Sequence, residues 1–465
     1  MSDLKEKCGV VGIFGKDLPV SRLIFFSLFA LQHRGQEASG ITTNDGKMLH
    51  THKGAGLVAQ VYKEKDIKNL HGYIGIGHNR YSTSGGSALE HTQPVLNSDF
   101  SFALAHNGNL PSVVALQNFL SSKKILKKNR SDSELIADAI DFYIKEGNSI
   151  PEAVKNIFPL ITGSFALVMM NKDTLVAARD MYGMKPLSLG KIGRGYVIAS
   201  ETCAIATIGA KFIRDVNPGE MIVINKNGLK SIKLAKPDPK YDIFEYVYFA
   251  RPDSILNGKL IYEVRKNFGK ELAREFKPDI DMVVPVPDTA MPVAIGYSET
   301  SGIPMEMALI KNRYVHRTFI EPDQKSRRNS VALKLIPLKK ILKGKKIGII
   351  DDSIVRGNTS RKLVKTLFSS GAKEVHLLVS SPPVRYPDFY GIDTPKQKEL
   401  IASNKTVEQI RKFLGATSLH FLSLNGLIKS IGLPKNKLCT SFFTGEYPID
   451  LKERKKEVNY DVPKE

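Results

Sequence analysis

One short stretch constrains the fold more than any other. Lys346-Ile-Gly-Ile-Ile-Asp-Asp-Ser-Ile-Val-Arg-Gly-Asn-Thr-Ser360 runs from apolar residues into two carboxylates and then into a hydroxyl-bearing turn. It reads as a buried strand handing over, through a Gly-containing loop, to a helix. Backbone N–H groups at that helix start, with the Thr359 and Ser360 hydroxyls, would cradle a phosphate. Asp351 and Asp352 would then face a polyhydroxyl sugar and its Mg²⁺, at the carboxyl end of a parallel strand, where open α/β sheets bind ligands. The GxxxxGK[ST] order of a Walker A loop is absent.

The surrounding pattern agrees. From about Ile261 the chain predicts a helix over 264–276, a strand over 281–286 and a helix over 291–300. A strand over 346–350, a helix over 359–369 and a strand over 374–380 follow, the rhythm of a parallel sheet. The N-terminal half differs. Strands are expected at 73–77, 102–105, 164–170, 174–178, 196–199 and 221–224, with helices at 21–32, 112–120 and 132–143. That segregation predicts an α+β layered domain. Ala235-Lys-Pro-Asp-Pro-Lys240 is the natural linker, since two prolines forbid regular structure. The expected division is a removable leader 1–7, a first domain 8–236 and a second domain 237–465. The last twenty residues read as a solvated tail or terminal helix.

Composition narrows the function classes. With 42% apolar residues the 465-residue chain can build sizeable cores, which excludes a disordered polymer. The net charge of +21 raises nucleic-acid binding. Its two basic clusters, Lys123–Arg130 and Lys339–Lys346, carry neither interleaved aromatics nor a recognition motif. No nucleic-acid partner is expected. The apolar run Leu23–Leu31 is too short to span a bilayer, so no membrane association is expected either. Cys8, Cys203 and Cys439 cannot form a disulfide framework, and the expected location is cytoplasmic.

Cys8 opens an apolar Cys-Gly-Val-Val-Gly-Ile-Phe-Gly run. A lone Cys there would be a packing residue. Four further blocks change that reading: Gln32-His-Arg-Gly-Gln-Glu-Ala-Ser-Gly40, Gly77-His-Asn-Arg-Tyr-Ser-Thr83, His106-Asn-Gly-Asn109 and Ser131-Asp-Ser-Glu134. Together they resemble the class II glutamine amidotransferases, an N-terminal-nucleophile family with an αββα fold. A thiol attacks a carboxamide only with a base nearby, and an N-terminal nucleophile can use its own α-amine, which titrates at about 8. Cys8 has that amine only once Met1–Lys7 is removed. The resemblance implies Cys8 as nucleophile and Asn107 and Gly108 as oxyanion donors. It also implies Arg80 on the glutamine α-carboxylate and Asp132 on its α-ammonium. Ser131-Asp-Ser-Glu134 is also a capping box, and both readings of Asp132 can hold together.

The 346–360 stretch resembles the loop that binds phosphoribosyl diphosphate (PRPP) in type I phosphoribosyltransferases. That resemblance implies PRPP contacts from Asp351, Asp352, Ser353, Gly357, Thr359 and Ser360. Pro285-Val-Pro-Asp-Thr-Ala290 resembles the diphosphate turn, implying Thr289 with Asp351 and Asp352 as ligands of one Mg²⁺ per subunit. Residues 311–334 resemble the lid, implying PRPP contacts from Lys311, Arg313, Tyr314 and Lys334. A water-excluding lid suits an oxocarbenium-like sugar. Both halves in this order resemble the amidophosphoribosyltransferase family, which implies glutamine and PRPP as substrates and the first committed step of purine synthesis. Purine-nucleotide feedback inhibitors and a homo-oligomer are implied as well.

Three departures bear on lid closure and PRPP affinity: His316 for a usual Gly, Ala332 for a usual Arg and Asn358 for a usual Thr. Relatives with an iron–sulfur cluster use four cysteines. Here Asp242, Asp388 and Phe442 take three of those places beside Cys439, so no cluster is expected. The two aspartates are expected to pair with nearby Lys or Arg. A nucleotide sensor of the same fold would need no glutaminase residues. Glucosamine-6-phosphate synthase would lack the Asp-Asp-Ser-Ile-Val-Arg-Gly loop.

Overall fold

The computed structural model describes residues 8–81, 91–312, 335–392, 394 and 396–463. Residues 9–233 build two stacked antiparallel sheets. In the seven-stranded sheet Gly9–Phe14 lies centrally, between Gly195–Ala199 and Ile74–Arg80. In the six-stranded sheet Ala103–Ser112 and Thr162–Met170 are neighbours. Side-chain alternation decides what each sheet covers. Val10, Ile74, Ala103, Ala105, Ala166 and Val168 meet between the sheets. Val11, Ile13 and Ile41 turn outward against Ile24 and Leu28 of the helix Val20–Ala30. Leu104, Leu167 and Met169 turn the other way, under the helices Val114–Ser122, Asp132–Lys145 and Ile150–Ile157. The result is helix, sheet, sheet, helix, the αββα layering expected.

The C-terminal half holds a four-stranded parallel sheet in the order Met282–Pro285, Lys346–Asp351, Glu374–Val379, Ser418–Phe421. Val283, Ile350 and Leu378 enter one core, whereas Val284, Ile349 and Leu377 enter another. Burial on both faces explains why these strands read as continuous apolar runs. On one side the helices Ile261–Glu275 and Met291–Ser301 cross at Gly269 and Gly296, where a Cβ would stand 1.8 and 1.9 Å from carbonyl oxygens of the opposing helix.

Two local expectations need correction, and a third needs it in part. The helix placed at 21–32 ends at Ala30, and Gln32–Arg34 forms a 3₁₀ turn instead. The strand expected at 102–105 runs to Ser112, because Ala103–Asn109 finds partners along Thr162–Met170. His106-Asn-Gly-Asn109 therefore lies within a strand. The last stretch is packed at its start and solvated beyond: Ile449 and Leu451 are buried with Phe389 and Tyr390, whereas the 3₁₀ segment Lys452–Glu457 is mostly exposed. Among the described residues, no helix is long and apolar enough to cross a membrane.

Candidate active sites

Cys8 immediately precedes the central strand and adopts a left-handed φ of 59°. Its neighbours in the sheet are fixed by register, Gly9 opposite Asn79, which puts Arg80 at the same edge. Cys8, Arg80, His106, Gly108 and Asp132 line one cavity of about 260 Å³. Asp132 is the first residue of its helix, and Ser131 and Glu134 form the expected capping box around it. A buried network ties that helix start to the neighbouring strand. The Gln93 side chain accepts from the His106 amide (2.6 Å) and donates to Ser133 Oγ (3.0 Å), which also meets His106 Nδ1 at 3.0 Å. Asp132 thus reaches the cavity from a braced position.

Gly108 has no room for a side chain. Its φ is 157°, and a Cβ would lie 2.0 Å from the Ser164 carbonyl oxygen. Beside it the Asn107 side chain is fully buried, and neither Oδ1 nor Nδ2 has a hydrogen-bond partner among the described residues. A buried amide left open in this way costs stability unless a ligand completes it. His78, also fully buried, is pushed down to about 3 by desolvation and then by the electrostatic influence of His106 and Arg80. It stays neutral at working pH.

Nothing in the sequence assigns Arg34 and Glu201 a role, yet Arg34 holds the Cys8 backbone and Glu201 holds Arg34. Arg34 Nε donates to the Cys8 carbonyl (3.3 Å), and its other nitrogens bond Glu201 (2.5 Å) and Glu245 (2.5 and 3.0 Å). Glu201 also accepts from His33 (2.6 Å), Ser254 (2.6 Å) and the Arg251 amide (3.0 Å). Burial would raise the Glu201 carboxyl, but His33 and Arg34 more than reverse this and hold it far below the ordinary carboxylate range. Arg34 lies in the Gln32–Gly40 block and Glu201 opens Glu201-Thr-Cys-Ala204, and neither block by itself announces that the two pair.

The second site lies at the carboxyl edge of the parallel sheet. Asp351 ends its strand, and Asp351, Asp352 and Ser353 are all buried. Ser353 Oγ donates to Asp352 (2.9 Å), and the Asp352 amide donates to Asp351 (3.0 Å). Desolvation, then the adjacent Asp351, holds the Asp352 carboxyl well above its ordinary range. The loop ends at Gly357, in a left-handed conformation that caps the helix Asn358–Ser369 without a side-chain hydrogen bond. First-turn amides of this helix therefore lack a side-chain cap, with Ser360 buried and Thr359 half-buried beside them.

The neighbouring strand delivers the Pro285–Ala290 turn alongside, since Val286 N bonds Ile350 O (2.9 Å). Thr289 sits in that turn, and Lys311 reaches it through Asp288 (2.6 Å). Buried carboxylates and a hydroxyl are hard oxygen donors, a set that suits Mg²⁺. Arg313, Tyr314 and Lys334, together with His316 and Ala332, lie outside the described residues.

The positions that would hold an iron–sulfur cluster do not fit one. Asp242 pairs with Lys185 Nζ at 2.9 Å, both buried, and Asp388 accepts from the Tyr390 and Ile392 amides (2.9 and 2.6 Å). Phe442 packs into an aromatic core with Phe244, ring centroids 4.4 Å apart and the rings tilted by 58°. Burial, then the Asp242 charge, pushes the Cys439 thiol up to about 12. One inert thiol and two committed carboxylates are no cage for soft iron–sulfur.

A family model for the glutamine amidotransferase domain matches residues 78–207. The amidophosphoribosyltransferase of Methanocaldococcus jannaschii is 46% identical over 463 residues, covering 96% of this chain and 98% of that one. The Bacillus subtilis amidophosphoribosyltransferase is 43% identical over 457 residues, with 96% and 95% covered. The solved structure of glutamine PRPP amidotransferase from B. subtilis complexed with ADP and GMP superimposes with a TM-score of 0.89 at 41% identity, covering 98% of this chain and 99% of that one. Similarity of this extent, running through both sites, makes the chain a member of the amidophosphoribosyltransferase family.

Proposed function

We propose that Cys8 opens the reaction by attacking the side-chain carbonyl of glutamine, with Arg80 on the α-carboxylate and Asp132 on the α-ammonium. The bidentate guanidinium fork suits the first task and a braced carboxylate the second. Asn107 Nδ2 and the Gly108 N–H take the developing oxyanion. Ammonia leaves, and water releases glutamate from the thioester. The base is the Cys8 α-amine, exposed by loss of Met1–Lys7.

At the second site ammonia displaces diphosphate from C1 of PRPP, giving 5-phosphoribosylamine. This is the family's reaction and the first committed step of purine biosynthesis. Asp351 and Asp352 hold the ribose hydroxyls, and the 5′-phosphate rests on Ser353, Gly357, Thr359 and Ser360. One Mg²⁺ would be held by Thr289, Asp351 and Asp352 and would neutralise the diphosphate. Lys311, Arg313, Tyr314 and Lys334 close over the sugar and exclude water. The reading also takes 8–236 and 237–465 as separate domains. It includes purine nucleotides as feedback inhibitors, a homo-oligomer and a cytoplasmic setting.

The observation that carries the glutamine half is the Asn107 amide, buried without a partner among the described residues next to a glycine that admits no Cβ. Cys8→Ala tests it. Glutamine-dependent synthesis should vanish while synthesis from free ammonia persists, because the PRPP residues are untouched. Parallel loss of both in a folded protein rejects this division of labour.

A further inference from the structure

A loop of the C-terminal half, Asp388–Ile392, reaches across to the strand carrying Asn107 and Gly108, and the reaction as read so far gives it no task. Asn109 Nδ2 donates to the Phe389 carbonyl at 2.7 Å. Ser164, on the neighbouring strand, donates its buried hydroxyl to the Tyr390 carbonyl. The Ser164 carbonyl is the same atom that leaves no space at Gly108. Gly391 comes next. Its φ is 125°, and a Cβ there would stand 2.7 Å from Lys185 Cε and 3.5 Å from the Gly108 carbonyl carbon.

Gly108 is thus enclosed between Ser164 on its own sheet and Gly391 from the other half. The enclosing loop is itself stiff. Asp388 gathers the Tyr390 and Ile392 amides. The fully buried Tyr390 ring is fixed by its hydroxyl, which donates to Ile449 O (2.7 Å) and accepts from Ile449 N (3.2 Å). Lys185, against which Gly391 rests, has its far end tied to Asp242.

We propose that Asp388–Ile392 is a positioning element for glutamine hydrolysis: it sets the 106–109 strand so that the Gly108 amide meets the oxyanion. The residues acting through the strand are Ser164 and Gly391. Neither touches the substrate. The inference rests on the reading of Asn107 and Gly108 as oxyanion donors. Such donors act only when held in place beforehand, and a displacement of about 1 Å can cost on the order of 10²-fold. A loop from the second half in this position makes hydrolysis conditional on that half being folded and docked.

The test uses the full chain with Gly391→Ala and Ser164→Ala. The first puts a Cβ on backbone at a φ of 125° and crowds Lys185 Cε, so the loop must shift where it touches Gly108, and the second removes one hydroxyl from an otherwise intact strand. Glutamine-dependent kcat should fall, by about 10–100-fold for Gly391→Ala and less for Ser164→Ala. Glutamine KM should hold within about twofold and ammonia-dependent synthesis should stay at the native rate, since a displaced oxyanion donor weakens the transition state and not the bound substrate. If Gly391→Ala does not fold, Ser164→Ala carries the test alone. Native glutamine kcat in the folded variants, or an equal fall with ammonia, overturns the positioning role. Asn107→Ala separates the two layers. Loss of glutamine turnover there, with native kcat in the loop variants, removes the loop alone. Retained turnover in Asn107→Ala removes the oxyanion reading and the loop's role with it.

Discussion

Arg34 shows what a single buried charge does here. It bonds the carbonyl of Cys8 while sharing Glu201 and Glu245, so the backbone at Cys8 is anchored to an ion cluster. Glu201→Gln should cost roughly 3 kcal/mol at pH 7, the low end for a broken buried pair, because Arg34 keeps Glu245. The carboxyl lies below its unfolded value of about 4.3, so its contribution is complete above that pH and is lost as pH falls through the folded value. The stability gap between native and variant should therefore be full at pH 7 and narrow below about pH 4. Denaturant unfolding at the two pH values measures it, and a gap that ignores pH would reject the ion cluster as its source. Cys8, Arg80, Gly108 and Asp132 each sit in a short block with its own chemistry, and the fold brings these blocks, from a strand start, a strand end, a strand interior and a helix start, round one cavity. The pairing of Arg34 was not legible, since its carboxylates lie 167 and 211 residues away in sequence.

At the scale of elements, local signals served well wherever the element closes on itself. The capping box at Ser131 and the glycine turn at Gly357 put helix starts at Asp132 and Asn358, as read or within one residue. They failed where an element depends on a distant partner. The strand bearing Asn107 extends to Ser112 only because Thr162–Met170 supplies its ladder, and nothing between residues 106 and 112 announces that. The strand–loop–helix unit at Asp351 is the clearest self-contained element. Asp351→Asn and Asp352→Asn should each lower glutamine-dependent and ammonia-dependent synthesis alike, on the order of 10²-fold, since the sugar contacts proposed for them would serve either nitrogen source. A variant that lost only the glutamine-dependent rate would place these carboxylates outside the PRPP site.

Across the whole molecule, polar contacts join the two halves, Arg34 with Glu245, Lys185 with Asp242 and Ser164 with Tyr390 buried and Asn109 with Phe389 part-buried, beside an apolar cluster of Met184 with Phe389 and Tyr390. Burial raises the Asp242 carboxyl to about 6 even with Lys185 opposing it, which marks a pair held dry by its surroundings. With those positions committed, the purified protein should be colourless, contain no stoichiometric iron or acid-labile sulfide, and keep its activity in air apart from reversible Cys8 oxidation. Iron in proportion to protein would defeat that expectation. Intact mass from the native host should likewise begin at Cys8; full activity with Met1–Lys7 attached would remove the α-amine from the mechanism. None of these long joins was legible in the sequence beyond the expectation that Asp242 and Asp388 pair with basic residues, which Asp242 does.

The contact between Ser164 and Tyr390 spans 226 residues of chain. A ribosome working at roughly 5–20 residues per second needs about 10–50 s to add them. During that interval the nascent chain already contains Cys8, Asn107 and Gly108, yet the loop that encloses Gly108 has not been made. On the positioning role proposed above, an unfinished chain holds glutamine's chemistry in reserve and destroys none of it before there is a sugar site to receive the ammonia. Chains stalled on ribosomes short of residue 388 should accordingly release no glutamate, and measurable release from them would show that the first half needs no such supervision.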